Sequence, residues 1–304
     1  MKRIKRTLAA LLIVVLTLAL LGEAVFADNS EQPVWPEEGA IQLSKSAAAV
    51  EGKENTWEVT LGIQGKNYKT TSDVVLVIDN SNSMYDNSRM AKTKAAANAF
   101  VDTLLTEDST TRIALVVYNL NETHTGFYTY ENKAALKHQI DAIAKSRPET
   151  LGGTFTQLGL HTARTLLNSA ESTGQNKSIV LLSDGEPTAS YRIGGSITCT
   201  EDIEFTDYTL FFGVTKYATS NINWATAQIN CNYNKVDGNG EEFVTDAASG
   251  LEITGCKHAS DGGDDYITHG IATIWESNQA KADGTTIYSV ALQVGTNGEQ
   301  VLKA

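Results

Sequence analysis

The segment Asp73-Val74-Val75-Leu76-Val77-Ile78-Asp79-Asn80-Ser81-Asn82-Ser83-Met84 decides how the rest of the chain is read. Its unbroken run of apolar residues predicts a strand buried on both faces, the pattern of a parallel sheet. The run leads directly into Asp79-x-Ser81-x-Ser83, and a helical pattern follows from about Ser88 to Leu105. Open α/β sheets place their ligands at the carboxyl ends of parallel strands. Here one carboxylate and two hydroxyls stand at alternate positions of the turn, so three oxygens can converge on one point. A hard cation such as Mg²⁺ takes an oxygen-rich octahedral shell of that kind.

Two later segments complete the set. Leu151-Gly152-Gly153-Thr154-Phe155-Thr156 puts a hydroxyl on a Gly-Gly loop just before another helical pattern. Ser178-Ile-Val-Leu-Leu-Ser183-Asp184-Gly185 is a second buried strand ending in a carboxylate and a turn glycine. Each piece alone is ordinary turn chemistry. All three in this order, each after a strand or before a helix, form a specific pattern. It resembles the metal-ion-dependent adhesion site of von Willebrand factor A domains. The resemblance implies Mg²⁺ or Mn²⁺ bound directly by Ser81 and Ser83, and by Asp79 mainly through water. Thr154 would bind directly in the ligand-competent state, and Asp184 through water or directly in the resting state. So many neutral oxygens leave the ion electrophilic, and an acidic side chain of a partner protein can complete its shell. This is a binding device, not a catalytic one.

Around these pieces the chain alternates strand and helix. Arg112–Tyr118 predicts a second buried strand, with a short one near Thr125 to Tyr130. The first helix carries Met90, Ala97, Phe100, Val101 and Leu104 on one face. Helices follow over Glu131 to Lys145, with Ala135, Ile140 and Ile143 inward, and over Gln157 to Ser169. The expected fold is α/β, a doubly wound, mostly parallel sheet with helices on both faces. The next helical pattern, Tyr266 to Ala282, comes late, followed by a strand over Thr286 to Gln293. Residues 186–265 therefore read as an inserted arm, with 13 acids, 4 bases and 9 aromatics. Disordered loops are poor in aromatics, so the arm is expected to fold as short strands or turns into a lobe of its own. Asp237-Gly-Asn-Gly-Glu-Glu lacks the glycine and the closing Glu of an EF-hand, and Asp261-Gly-Gly-Asp-Asp reads as a turn.

Residues 1–27 read as a secretory signal: Lys2, Arg3, Lys5 and Arg6, an apolar stretch from Leu8 to Leu21, and Val25-Phe-Ala27 as the cleavage site. The stretch is shorter than a membrane span needs, and no other segment is apolar enough to cross a bilayer. With four bases and one acid in the signal, the remaining chain carries 20 Lys+Arg against 35 Asp+Glu, a net of −15. That balance disfavours nucleic acid as a partner. Cys199, Cys231 and Cys256 all lie in the arm. Outside the cell they permit one disulfide with one thiol left over, and the pairing stays open. The chain has no P-loop, nucleophile elbow or His-Glu-x-x-His, and His161 and His269 read as packing or surface residues. An aspartyl phosphatase would want a second acid where Ser81 stands.

Residues 28–38 form a polar, Pro-broken leader, and 39–71 hold two strand patterns, around Ala40–Lys45 and Thr56–Gln64. Two strands alone are marginal, so they read as part of a β-sandwich whose other strands are elsewhere. Signal, strand pair, Asp-x-Ser-x-Ser-Met and long insertion together resemble Gram-positive pilus-tip and cell-wall adhesins. The resemblance implies a secreted, cell-wall-attached, non-enzymatic protein that binds an extracellular-matrix or other surface protein and contacts other pilus subunits. A structural pilin is the alternative, and a metal-dependent hydrolase a lesser one. It also implies that Lys45, on the first strand, forms an isopeptide bond with an Asn from later strands. The A-type domain, 72–304, is expected to be incomplete at its carboxyl end, without a final helix or a sorting signal.

Overall fold

The computed structural model describes residues 37, 39–66, 70–143, 152–199, 219, 222–238, 250–254, 266–292 and 298–304, with the backbone of 206–209, 212–217, 243–245, 265, 296 and 297. The signal segment and nearly all of the leader lie outside them, as does Cys256. The chain divides into two compact units, Met1–Lys69 and Thr70–Ala304.

In the first unit, β1 (Ile41–Ala49) and β2 (Trp57–Gly65) pair antiparallel with Lys45 opposite Leu61. Residues of an antiparallel pair that stand opposite share a face. Ile41, Leu43, Lys45 and Ala47 therefore share one with Trp57, Val59, Leu61 and Ile63. The six large side chains on it are all more than half exposed, Ile63 at 76%. Lys45 thus stands in the middle of an uncovered apolar face.

The second unit is built on β3 (Ser72–Asp79). Helix α1 (Arg89–Leu104) follows, then β4 (Thr111–Tyr118), the short β5 (Glu122–His124), α2 (Lys133–Ala142), α3 (Thr156–Asn168) and β6 (Asn176–Ser183). Strands β7 to β13 come next: Ser190–Thr198, Thr206–Thr209, Phe212–Tyr217, Gln228–Asp237, Phe243–Thr245, Leu251–Thr254 and Asp265–Thr268. Helix α4 (Gly270–Ala282), β14 (Thr286–Ala291) and α5 (Thr296–Lys303) end the chain. The main sheet has the order β14-β6-β3-β4-β5, with only β5 antiparallel. Strand β3 lies between two parallel neighbours and is buried on both sides, as its apolar run requires. Val74, Leu76 and Ile78 pack against Met90, Ala97 and Val101 of α1 and Leu136 and Ile140 of α2. Val75 and Val77 face Leu160, Ala163 and Leu167 of α3, Ala280 of α4 and Leu302 of α5. The sheet is doubly wound.

Several expectations are corrected. Leu136, not Ala135, fills the inward position of α2. The short edge strand forms at Glu122–His124, and only Tyr128 bridges to Ile113 further on. The late helix starts at Gly270, because Asp265–Thr268 is drawn into sheet pairing with β9 and β11. A final helix is present: α5 is short, with Leu302 anchoring it to the core, and its mostly polar sequence hides it. The arm holds two small sheets, β10-β7-β12 and β11-β13-β9-β8. It is not a separate lobe, since Ile193, Ile197, Leu251 and Ile253 share one core with Ile271 and Ala272 of α4. Cys199 is disulfide-bonded and Cys231 is a free thiol.

Polar groups fasten the arm to the sheet's helices. Gln157 of α3 accepts from Tyr191 N at 2.8 Å, and its amide donates to Cys231 Sγ at 3.4 Å. Fully buried Glu276 of α4 accepts from Tyr233 Oη at 2.8 Å and faces Arg164 at 3.3 Å and His161 Nδ1 at 3.2 Å. His161 stacks on Tyr233, with ring centroids 4.0 Å apart.

At the opposite end of β3, fully buried Asp73 takes a bidentate pair from Arg112, at 2.8 and 2.7 Å. It also accepts from Ser172 Oγ at 2.9 Å and Gly174 N at 2.7 Å. Burial raises its pKa, but these bonds outweigh burial and hold the carboxyl below its ordinary value. We expect Asp73→Ala to lose roughly 2–3 kcal/mol in urea unfolding, because it strands a half-buried guanidinium and a backbone N–H. A folded pKa below the unfolded one stabilises above the unfolded value, so wild type and variant should converge as pH falls below about 4.

Candidate metal centre

Strands β3 and β6 are neighbours, with Ile78 opposite Leu182, and chain order reverses between them. Their carboxyl ends are the topological switch point, where a doubly wound sheet opens a crevice. Asp79 and Asp184 stand there. Asp79 is fully buried, accepting from Ser81 N at 2.8 Å through Oδ1 and from Ser183 Oγ at 2.7 Å through Oδ2. The first bond folds the turn so that Ser81 and Ser83 hydroxyls lie 3.1 Å apart. Asp184 is 7% exposed and meets Arg89 Nη1 at 3.2 Å, while the same nitrogen donates to the Ser83 carbonyl at 3.0 Å. The turn after it needs Gly185, whose φ is +89° and whose Cβ would lie 2.7 Å from the Gly298 carbonyl oxygen in α5.

Thr154 joins through its backbone. Its N–H donates to Thr188 Oγ1 at 2.9 Å, and its carbonyl accepts from Thr188 N at 2.9 Å and Ala189 N at 3.3 Å. Phe155 N donates to Asn119 O at 3.0 Å, just past β4. A Cβ on Gly152 would fall 2.1 Å from Asn82 Nδ2, and one on Gly153 would fall 2.4 Å from Leu120 Cδ2. Both glycines allow the threonine loop to close on the Asp79 turn. All five sequence-predicted residues thus stand at one end of the sheet: Asp79, Ser81 and Ser83 are linked directly by hydrogen bonds, and Asp184 joins them through Arg89. Sequence reading missed Ser183, Arg89, Tyr118 and Thr188. Tyr118, fully buried beside both carboxylates, donates to Thr156 Oγ1 at 3.2 Å. Ser183 had a usable signal, a hydroxyl next to the carboxylate at a strand end.

The donor set fits a hard divalent ion. Adjacent ligands of an octahedral ion with bonds of about 2.1 Å lie about 3.0 Å apart, close to the Ser81–Ser83 separation of 3.1 Å. Every side-chain donor is oxygen, and Asn82 Oδ1 in the same turn is buried with no hydrogen-bond partner. Among the described residues no group of three or more His, Cys, Asp or Glu is placed to hold a metal. This site draws instead on hydroxyls. His269 offers no surface chemistry: it is 1% exposed, bonded to Ser190 Oγ at 2.8 Å, and burial pushes its pKa down to about 4.

Residues 73–216 match the sequence profile of the von Willebrand factor type A domain. This region has the von Willebrand factor A fold. Over 183 residues it is 34% identical to the minor fimbrium subunit Mfa5 of Porphyromonas gingivalis, covering 56% of this chain and 14% of that protein. The chain therefore spans a small part of the relative's length. The three N-terminal domains of that type V pili tip protein superpose with a TM-score of 0.57 at 23% identity, over 89% of this chain and 52% of theirs. The pilus adhesin SpaC of Lactobacillus rhamnosus GG, in its open conformation, gives 0.52 at 20% identity, over 92% and 32%. At these identities the two structures show the A-domain fold.

Burial, and then the neighbouring charge of Asp184, push Asp79 up to about 6, against the pull of its bonds to Ser183 and Ser81. A carboxyl whose folded pKa exceeds its unfolded one favours the folded state as pH falls through the window between them. In metal-free protein, an NMR titration should place the Asp79 carboxyl near 6. Ser183→Ala should move it higher; an unmoved or lower value would show that the bond does not hold the carboxylate.

Proposed function

We propose that this A domain is the binding head of a secreted, pilus-tip type surface adhesin, gripping an acidic group of a partner protein through Mg²⁺ or Mn²⁺. The observation that carries this reading is the pair of hydroxyls at octahedral spacing between two carboxylates at the switch point. Ser81 and Ser83 would bind directly, Asp79 would hold water with its remaining lone pairs, and Thr154 and Asp184 would complete the shell. The ion supplies an electrophilic position for a carboxylate ligand. Asp79 is fixed through both oxygens, so its own rearrangement contributes little. Nothing in this arrangement activates a nucleophile, and the relatives are fimbrial subunits and pilus adhesins, which favours a non-enzymatic role. Among the described residues no helix is long and apolar enough to cross a membrane.

Secretion rests on residues 1–27, and cell-wall attachment on the resemblance alone. A structural pilin is the second reading, favoured by the uncovered apolar face of β1 and β2. Lys45 fits an isopeptide role because it shares that face with Leu43, Leu61 and Ile63. In the full-length protein the bond would remove one ammonia, and intact mass would report a deficit of about 17 Da that Lys45→Ala abolishes.

Calorimetry should show Mg²⁺ or Mn²⁺ binding that Asp79→Ala eliminates while the fold persists. Affinity should fall as pH drops below about 6, because the ion must displace the Asp79 proton. On immobilised matrix proteins, attachment should be lost with EDTA and restored by Mg²⁺. Undiminished metal binding by Asp79→Ala would reject the site, EDTA-resistant attachment would reject the metal's role in adhesion, and absence of attachment would leave the structural pilin.

A further inference from the structure

One cation is already built into the centre. Arg89 opens α1, its side chain is 17% exposed, and a single nitrogen reaches both Asp184 Oδ2, at 3.2 Å, and the Ser83 carbonyl, at 3.0 Å. The backbone leading to it is unusual. Only three described non-glycine residues have positive φ, and two of them, Asn87 at 52° and Ser88 at 60°, immediately precede Arg89. Such conformations are sparsely populated and persist where surrounding structure over-determines them. Asn87 and Ser88 lie in the turn between Ser83 and Arg89, whose guanidinium folds back onto the Ser83 carbonyl and Asp184.

We propose that Arg89 sets the affinity and the charge of the metal centre, opposing the ion and leaving the loaded site cationic. This rests on the metal reading above. Asp79 and Asp184 supply two negative charges to a divalent ion, which would leave a neutral centre. The guanidinium makes it singly positive. Metal is then held less tightly than the oxygen set alone would hold it, while an incoming carboxylate meets net positive charge instead of none. Like charges a few ångströms apart in a partly buried site interact strongly, since little water screens them. Arg89 also occupies an outer lone pair of Asp184, steering that carboxylate towards contact through water. It is a positioning and charge-setting residue, and the ligand class it favours is a carboxylate.

The test compares Mn²⁺ affinity by calorimetry in wild type, Arg89→Gln and Arg89→Lys, with near-ultraviolet circular dichroism to check the fold. The expected result is binding at least tenfold tighter in Arg89→Gln, with Arg89→Lys within about threefold of wild type, because charge is the operative property. Wild type that binds no Mn²⁺ would reject the metal reading and this inference together. Wild-type binding with Arg89→Gln unchanged or weaker would overturn this inference and leave the metal reading standing. Should Arg89→Gln fail to fold, Mg²⁺ titration of wild type followed by guanidinium ¹⁵N signals still decides. The Arg89 signal, identified by its loss in Arg89→Lys, should shift at saturation, and an unmoved signal would overturn the inference.

Discussion

The buried carboxylate of Asp79 is the constraint on which the upper end of this fold depends. A charge at the end of an all-apolar strand is costly unless every lone pair finds a donor or a cation. One oxygen demands a tight turn so that Ser81 N can reach it, and that turn aligns the two serine hydroxyls. The other demands a hydroxyl from the adjacent strand, which fixes where β6 ends and so where Asp184 stands. Cores α1 and α3 pack on opposite faces of the same strand, so register, helix placement and loop geometry all answer to one side chain.

The arm is tied into the same arrangement. Thr188, the first segment of the insertion, holds both backbone groups of Thr154. Three residues on, Tyr191 leans edge-on against Phe155, with centroids 4.8 Å apart. The rings continue through His161 and Tyr233 to Trp275. What the insertion does to the threonine loop is therefore a matter of direct contact. Glu276 needs three partners from two elements to be buried, and this makes the junction specific as well as apolar.

The sheet and the gathering of the five candidate residues at one end of it were legible because their signals are local: an apolar run too long for a one-sided strand, and short polar turns at its ends. The arm's strands were legible only as composition, since their pairing is between distant segments, β7 with β12 and β9 with β13. Helix α5 was hidden by its polar sequence, because tertiary anchoring through Leu302 supplies what periodicity does not. Arg89 escaped for a different reason. An arginine at a helix start looks like a solvated residue unless the left-handed pair before it is known, and backbone dihedrals at Asn87 and Ser88 are not written in residue type.

Strand β3 carries Asp79 at one end; at the other, Thr70 and Thr71 lead into it and bond to Thr110 and Gln175. A pull applied between the two ends of β3 would run along the length of the strand. Its neighbours β4 and β6 are parallel to it, and their hydrogen bonds lie across the line of pull. Such a strand is loaded in shear, with all its bonds sharing the force at once, instead of being unzipped one bond at a time. The Asp73–Arg112 pair sits where the load enters. The architecture thus resists extension of β3 along its own axis.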